Sequence, residues 1–191
     1  FTLPETDRDK VIYVDFDGVY RNSEVWINGH SLGFRPNGYV SFRYDLTPYL
    51  RYGSQPNVIA VKADNSEQPN SRWYSGSGIY RNVWLVKVNP VHVDNWGTFV
   101  HDMKISSEEA TFALEVRIRN SSEADREAEV STSIYDDRNK VVTASVTTLL
   151  RVPYTPCYDT RMREASVDHQ FSIPNPKLWS PDSPSLYTAV T

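Results

Sequence analysis

A single cysteine, Cys157, stands in 191 residues. The chain therefore cannot close an internal disulfide or offer a cysteine pair to a metal. That cysteine sits in the proline-punctuated stretch Val152-Pro153-Tyr154-Thr155-Pro156-Cys157-Tyr158, with no basic neighbour to lower its pKa, and reads as an inert thiol. No apolar run approaches the roughly 18 residues that cross a bilayer, so no membrane span is expected. Charge of one sign is not concentrated either. The net charge is −4 and the isoelectric point about 5.6, with acids and bases interspersed. A nucleic-acid partner is excluded on that ground, because binding one needs a gathered basic face. The histidines, His30, His92, His101 and His169, are scattered, with none at metal-ligand or triad spacing, so no metal site and no cofactor are expected. A helical stripe is missing as well. The chain opens on Phe1 without a signal-peptide pattern, which reads as a processed or excised segment.

What is present is alternation of period two. Phe112, Leu114, Val116 and Ile118 alternate with Thr111, Ala113, Glu115, Arg117 and Arg119, the pattern of a strand covering a core on one side. Ile12, Val14 and Phe16 alternate with Val11, Tyr13 and Asp15, and Val40, Phe42 and Tyr44 with Ser41, Arg43 and Asp45. Further strands are expected at Val58 to Asp64, Val83 to Val88, Ala128 to Tyr135, Val141 to Val152, Val167 to Ile173 and Leu186 to Val190. Asn28-Gly29 fits a two-residue hairpin turn with φ positive at both positions. Asn120 to Asp125 and Asp136 to Lys140 read as longer hairpin loops. The fold class is all-β. Aromatics and glycines crowd the first half while the second carries plainer, longer alternations, and the change falls near Asn89-Pro90, where proline interrupts a ladder. Two domains are expected, 1–90 and 91–191.

The chemistry-bearing stretch is Arg72-Trp73-Tyr74-Ser75-Gly76-Ser77-Gly78-Ile79-Tyr80-Arg81-Asn82-Val83-Trp84. Glycines permit turns there. Tyrosine and tryptophan supply flat apolar faces with a polar handle, and arginine a planar fork of donors. A sugar ring, with C–H faces to stack and hydroxyls to bond, suits such a surface. A glycine-broken loop with aromatics filling its underside is the structural alternative. A phosphate cradle is not, since the lysine and following helix are missing. Carboxylate pairs for hydrolysis are poor: Glu108-Glu109 and Asp136-Asp137 point to opposite faces of extended backbone. Asp15 and Asp17 share a face at about 7 Å, but both are placed most simply in solvent. His169, alternating with Val167, Phe171 and Ile173, reads as an inward-facing or interface histidine, and Trp179 as a plug at a sandwich edge. Asn28 reads as turn geometry rather than a ligand. Asn120-Ser121-Ser122 satisfies the glycosylation sequon but equally makes an ordinary loop.

With Phe16-Asp17-Gly18-Val19, Val25-Trp26-Ile27-Asn28-Gly29-His30-Ser31-Leu32-Gly33, Tyr44-Asp45-Leu46-Thr47-Pro48-Tyr49-Leu50, Asn57-Val58-Ile59-Ala60-Val61 and Leu178-Trp179-Ser180-Pro181-Asp182-Ser183-Pro184-Ser185-Leu186-Tyr187, this stretch resembles glycoside hydrolase family 2, β-galactosidase-like. The resemblance implies a sugar-binding jelly-roll β-sandwich lacking its amino-terminal part, followed by an immunoglobulin-like β-sandwich lacking its carboxy-terminal end. It implies no catalytic residue in this chain, because the family's two carboxylates lie in a separate (β/α)₈ barrel. The implied partners are that barrel of the same polypeptide and a carbohydrate with a terminal β-linked sugar. The implied setting is bacterial, periplasmic or cytoplasmic. A loop from the sugar-binding domain would help hold the terminal sugar, which makes Arg72, Trp73 and Tyr74 the candidate substrate-binding residues. Arg72 falls where relatives carry an aspartate. An arginine cannot ligate a cation, so a metal site does not carry over, whereas a hydrogen-bonding role does. Two alternatives stand beside this reading: a self-sufficient carbohydrate-binding module gripping glycans through Trp73, Tyr74 and Trp26, and a structural spacer.

Overall fold

The computed structural model describes residues 1–67, 76–156 and 160–191, apart from the side chains at 102, 160 and 161. It is all-β, and its contacts divide it into two compact units, Phe1–Asn89 and Pro90–Thr191.

In the first unit β1 (Val11–Phe16), β2 (Val19–Tyr20), β3 (Ser23–Ile27), β4 (His30–Arg35), β5 (Phe42–Asp45), β6 (Ile59–Lys62), β7 (Gly78–Ile79) and β8 (Val83–Val88) follow in order. They form antiparallel sheets ordered β5-β1-β8 and β4-β3-β6, with β2 paired to β7. The core gathers Val14, Phe16, Val19, Val25, Ile27 and Tyr44, inward positions of period-two strands, with Leu46 just after β5. The alternation of β1 predicted one open face, yet Val11 and Tyr13 are buried with Ile12, Val14 and Phe16. Part of the reason is long-range: the Arg43 guanidinium lies 4.7 Å from the Tyr13 ring and is itself held by Asp15.

The Asn28-Gly29 hairpin forms as its sequence predicts, with φ of 51° and 87°. Asn28 does more than turn. Its amide donates to the Tyr49 carbonyl (2.8 Å) and to Asn57 Oδ1 (2.9 Å), and its oxygen accepts from the Val58 N–H (3.0 Å).

The second unit comprises β9 (Val91–Ile105), β10 (Glu109–Asn120), β11 (Arg126–Tyr135), β12 (Val146–Val152), β13 (Glu164–Pro174) and β14 (Thr188–Val190). One sheet is ordered β13-β10-β9, the other β12-β11-β14. Leu114, Val116, Ile118, Val130, Ile134, Val152, Phe171 and Ile173 make the core. His169 faces inward, 1% exposed, with its ring nitrogens 3.0 Å and 3.2 Å from the hydroxyls of Thr132 and Thr148. Burial lowers its pKa.

Three sequence expectations need correction here. The run Val141 to Val152 is not one strand: Val141 makes an isolated bridge to Tyr135, and the ladder starts again only at Val146. The tight turn before it accounts for the break, since Asp136 Oδ1 accepts from the N–H groups of Arg138 and Lys140 and Asn139 takes φ of 59°. The last strand is shorter than predicted, beginning at Thr188 rather than Leu186. Trp179 does not plug the sandwich; it is 59% exposed, on the wall of an apolar cleft of about 310 Å³ shared with Leu178, Met103, Ile105 and Tyr187.

Candidate functional site

Residues 68–75, and with them Arg72, Trp73 and Tyr74, lie outside the described residues, as does Cys157. What the structure places is the chain on either side. Before the loop, Asp64 Oδ1 accepts from both the N–H and the hydroxyl of Ser66, and these bonds hold the Asp64 carboxyl below its usual range. Arg21 reaches the Glu67 carbonyl (3.4 Å) and carboxylate (3.2 Å), the Arg21 carbonyl accepts from the Asp64 N–H (2.9 Å), and the Asn22 amide donates to the Asp64 carbonyl (3.2 Å). After the loop, Gly78 takes φ of 106°, favoured by glycine, and Gly78-Ile79 pair with Tyr20 and Val19. Both ends are therefore fastened to the segment 19–22.

Beside that segment stands an aromatic group of which the motifs named only Tyr80. Tyr39 stands edge-on to Tyr20 (5.4 Å between ring centres) and to Tyr80 (6.5 Å). Partial desolvation, and then the phenols of Tyr20 and Tyr80, push the Tyr39 pKa up. The Tyr80 hydroxyl donates to the Gly38 carbonyl (2.8 Å), and Arg81 lies over the Tyr80 ring at 5.9 Å. Two glycines make room for the rings. A Cβ on Gly38 would come within 2.3 Å of the Tyr20 ring, and one on Gly18 within 2.7 Å of Tyr80. Tyr39 is 70% exposed and so offers an apolar face with a hydroxyl. The sequence carried one signal for the group, the glycines at 18 and 38; which rings they admit is set by folding.

The carboxylates considered for catalysis are engaged otherwise. Asp15 is not in open solvent: it forms a two-pronged pair with Arg43, both bonds 2.6 Å, with side chains only 23% and 20% exposed. Asp17 accepts from the Trp84 indole N–H at 3.0 Å. Trp26 is half-buried in β3. Among the described residues no group of three His, Cys, Asp or Glu side chains could hold a metal ion, and no helix is long and apolar enough to cross a membrane.

Two successive all-β units, the first with an aromatic group beside the braced chain on either side of residues 68–75, are the class of structure defined here. Family comparison agrees. The model of the glycosyl hydrolases family 2 sugar binding domain matches residues 1–89, and that of glycosyl hydrolases family 2 matches residues 91–191. The chain belongs to glycoside hydrolase family 2, and it corresponds to non-catalytic domains of those enzymes. Over its whole length it is 44% identical to the β-galactosidase BoGH2A of Bacteroides ovatus, of which it covers 21%, and 37% identical to a putative β-glucuronidase of Formosa agariphila, of which it covers 17%. A crystal structure of a family 2 member from Bacteroides cellulosilyticus superposes with a TM-score of 0.88 at 32% identity, over 99% of this chain and 25% of that one. The chain thus spans about a fifth of the length of the curated relatives it matches.

Proposed function

We propose that this chain is the substrate-framing portion of a β-galactosidase-like family 2 enzyme. In this reading the first unit presents the 68–75 loop at the mouth of a (β/α)₈ barrel carried elsewhere in the same polypeptide, and the second unit spaces that domain against the barrel. Arg72 hydrogen-bonds the terminal β-linked sugar, while Trp73 and Tyr74 stack on it or wall the pocket. The observation that carries the reading is the stem. Arg21 and the β2–β7 pairing fasten the chain on either side of residues 68–75 beside Tyr20, Tyr39 and Tyr80. Positioning of this kind contributes to rate without supplying a reacting group.

The test is kinetic. Removing one hydrogen bond to substrate costs about 0.5–1.5 kcal/mol, so Arg72→Ala in the full-length protein should lower kcat/KM on nitrophenyl β-galactoside roughly three- to tenfold. The thermal midpoint should stay in place. The 191-residue chain by itself should turn over no nitrophenyl β-galactoside, β-glucuronide or β-mannoside. Unchanged kinetics in Arg72→Ala would make the loop structural. Micromolar binding of galactose by the 191-residue chain, lost in Trp73→Ala, would instead establish a self-sufficient binding module.

A further inference from the structure

On β9 the ladder breaks where four residues, Asp94 to Gly97, stand opposite the single residue Arg117, between the pairs Val93–Ile118 and Thr98–Val116. At the crest sits Trp96 with φ of 55°, a left-handed conformation that is a genuine outlier for a bulky residue. Its side chain is 81% exposed. Neither property is favourable, and both are held in place from below. Asp94 binds the Arg119 guanidinium through both carboxylate oxygens (2.7 and 3.1 Å), and Arg119 reaches Glu164 at 2.6 Å. The Asp94 and Glu164 side chains are each only 10% exposed. Gly97 then packs backbone on backbone: a Cβ there would lie 2.7 Å from the Asp94 carbonyl oxygen and 2.9 Å from that of Arg117. A strained, over-determined crest that lifts a large apolar ring into water is the signature of a functional contact rather than of packing.

We infer that Trp96 is the anchor by which the second unit docks on the catalytic domain of the full-length protein, an inference that rests on the reading proposed above. The chemistry favours a protein partner over a glycan. A sugar needs free polar groups around the stacking ring, whereas Asp94, Arg119 and Glu164 beside this one are committed to each other. The next exposed side chain along the strand's aromatic run, Phe99, is 59% exposed and stacks on His101 at 5.6 Å, adding apolar surface. Tryptophan is the residue type most enriched at interface hot spots. An occupant of the required size is at hand, because relatives of this chain are about five times as long.

The experiment replaces Trp96 with the photo-reactive benzoylphenylalanine in the full-length protein, irradiates it, and maps the adducts by peptide mass spectrometry. Cross-links from position 96 to the catalytic barrel are expected. Cross-links only to residues 1–89, only to a second copy, or none at all would overturn the docking. In parallel, Trp96→Ala should lower the full-length thermal midpoint by about 1 °C in replicate calorimetry, and Trp96→Phe should recover over half of that loss. An unmoved midpoint in Trp96→Ala would overturn the inference too. Hydrolysis of nitrophenyl β-galactoside by the unsubstituted protein separates the two failures. With activity present and cross-links missing, only the docking is wrong; with cross-links present and activity lacking, the docking stands and the β-galactosidase-like reading falls.

Discussion

The two units use β-structure differently. In the first, described strands run from two to six residues, and at Gly18, Gly29, Gly38 and Gly53 a ring or a turn claims the space. In the second, β9, β10, β11 and β13 run from ten to fifteen residues and the core follows from simple alternation. Short strands mean that connections make up much of the first unit, and a loop can be held only if its stem is. The clamp of Arg21 and Asn22 on Asp64 and Glu67 supplies that hold. The second unit needs no such device for its ladders, and among its described residues the bulky side chain held at positive φ is Trp96, at the crest of β9.

The contrast can be broken by substitution. The largest effect is expected at Phe171, 5% exposed and stacked on Phe112 at 5.5 Å. Phe171→Ala should cost about 3–5 kcal/mol, seen by calorimetry as a drop confined to one of two unfolding transitions. A uniform drop in both would show that the units do not unfold separately. Next come two glycines. Gly97→Ala meets backbone that cannot yield, and should destabilise by about 1–3 kcal/mol. Gly38→Ala meets the movable Tyr20 ring, so it should cost less in stability and more in full-length catalytic efficiency. Equal stability losses with unchanged kinetics would remove the tyrosine group from the site.

Acid sharpens the comparison further. Burial sets the His169 pKa in the folded chain below its unfolded value of about 6.5. The unfolded chain therefore takes up the proton first as pH falls. Stability from this group is full above about pH 6.5 and is lost toward the lower, folded-state pKa, by at most about 1.4 kcal/mol per pH unit. Urea midpoints at pH 7 and pH 5 should show the loss, and His169→Gln should flatten it; a slope surviving that change would assign it elsewhere. The smallest effect is expected at Trp179. With 59% of it exposed, Trp179→Ala should shift stability by less than about 1 kcal/mol.

Local patterns carried much of this molecule. The Asn28-Gly29 turn, the strand from Phe112 to Arg119 and the inward position of His169 all follow from a few neighbouring residues, and the ordered motifs identify the family. What escaped depends on partners far along the chain. The Tyr13 ring is covered through Arg43, Asp15 is neutralised by the same arginine, and Tyr20, Tyr39 and Tyr80 meet only after β2 pairs with β7. Trp179 misled because a tryptophan followed by serine and proline resembles a plug, while its exposure is decided by what packs around it. For Arg72, Trp73 and Tyr74, which lie outside the described residues, the motif names the stretch and contact with sugar is a matter for the kinetic test.

Asn28-Gly29 has a chemical consequence as well as a geometric one. An asparagine before glycine is prone to ageing: the glycine nitrogen attacks the side-chain carbonyl carbon, ammonia leaves, and hydrolysis of the resulting ring yields aspartate or isoaspartate. In the folded chain the Asn28 amide is held by Tyr49, Asn57 and Val58, which keeps it from the geometry of attack. Once the chain has opened and reacted, the loss is one-way. An aspartate at 28 has no amide protons to give and would turn its charge toward the Tyr49 carbonyl and the Asn57 oxygen, both acceptors. The shelf life of the first unit is thus tied to how seldom one hairpin opens.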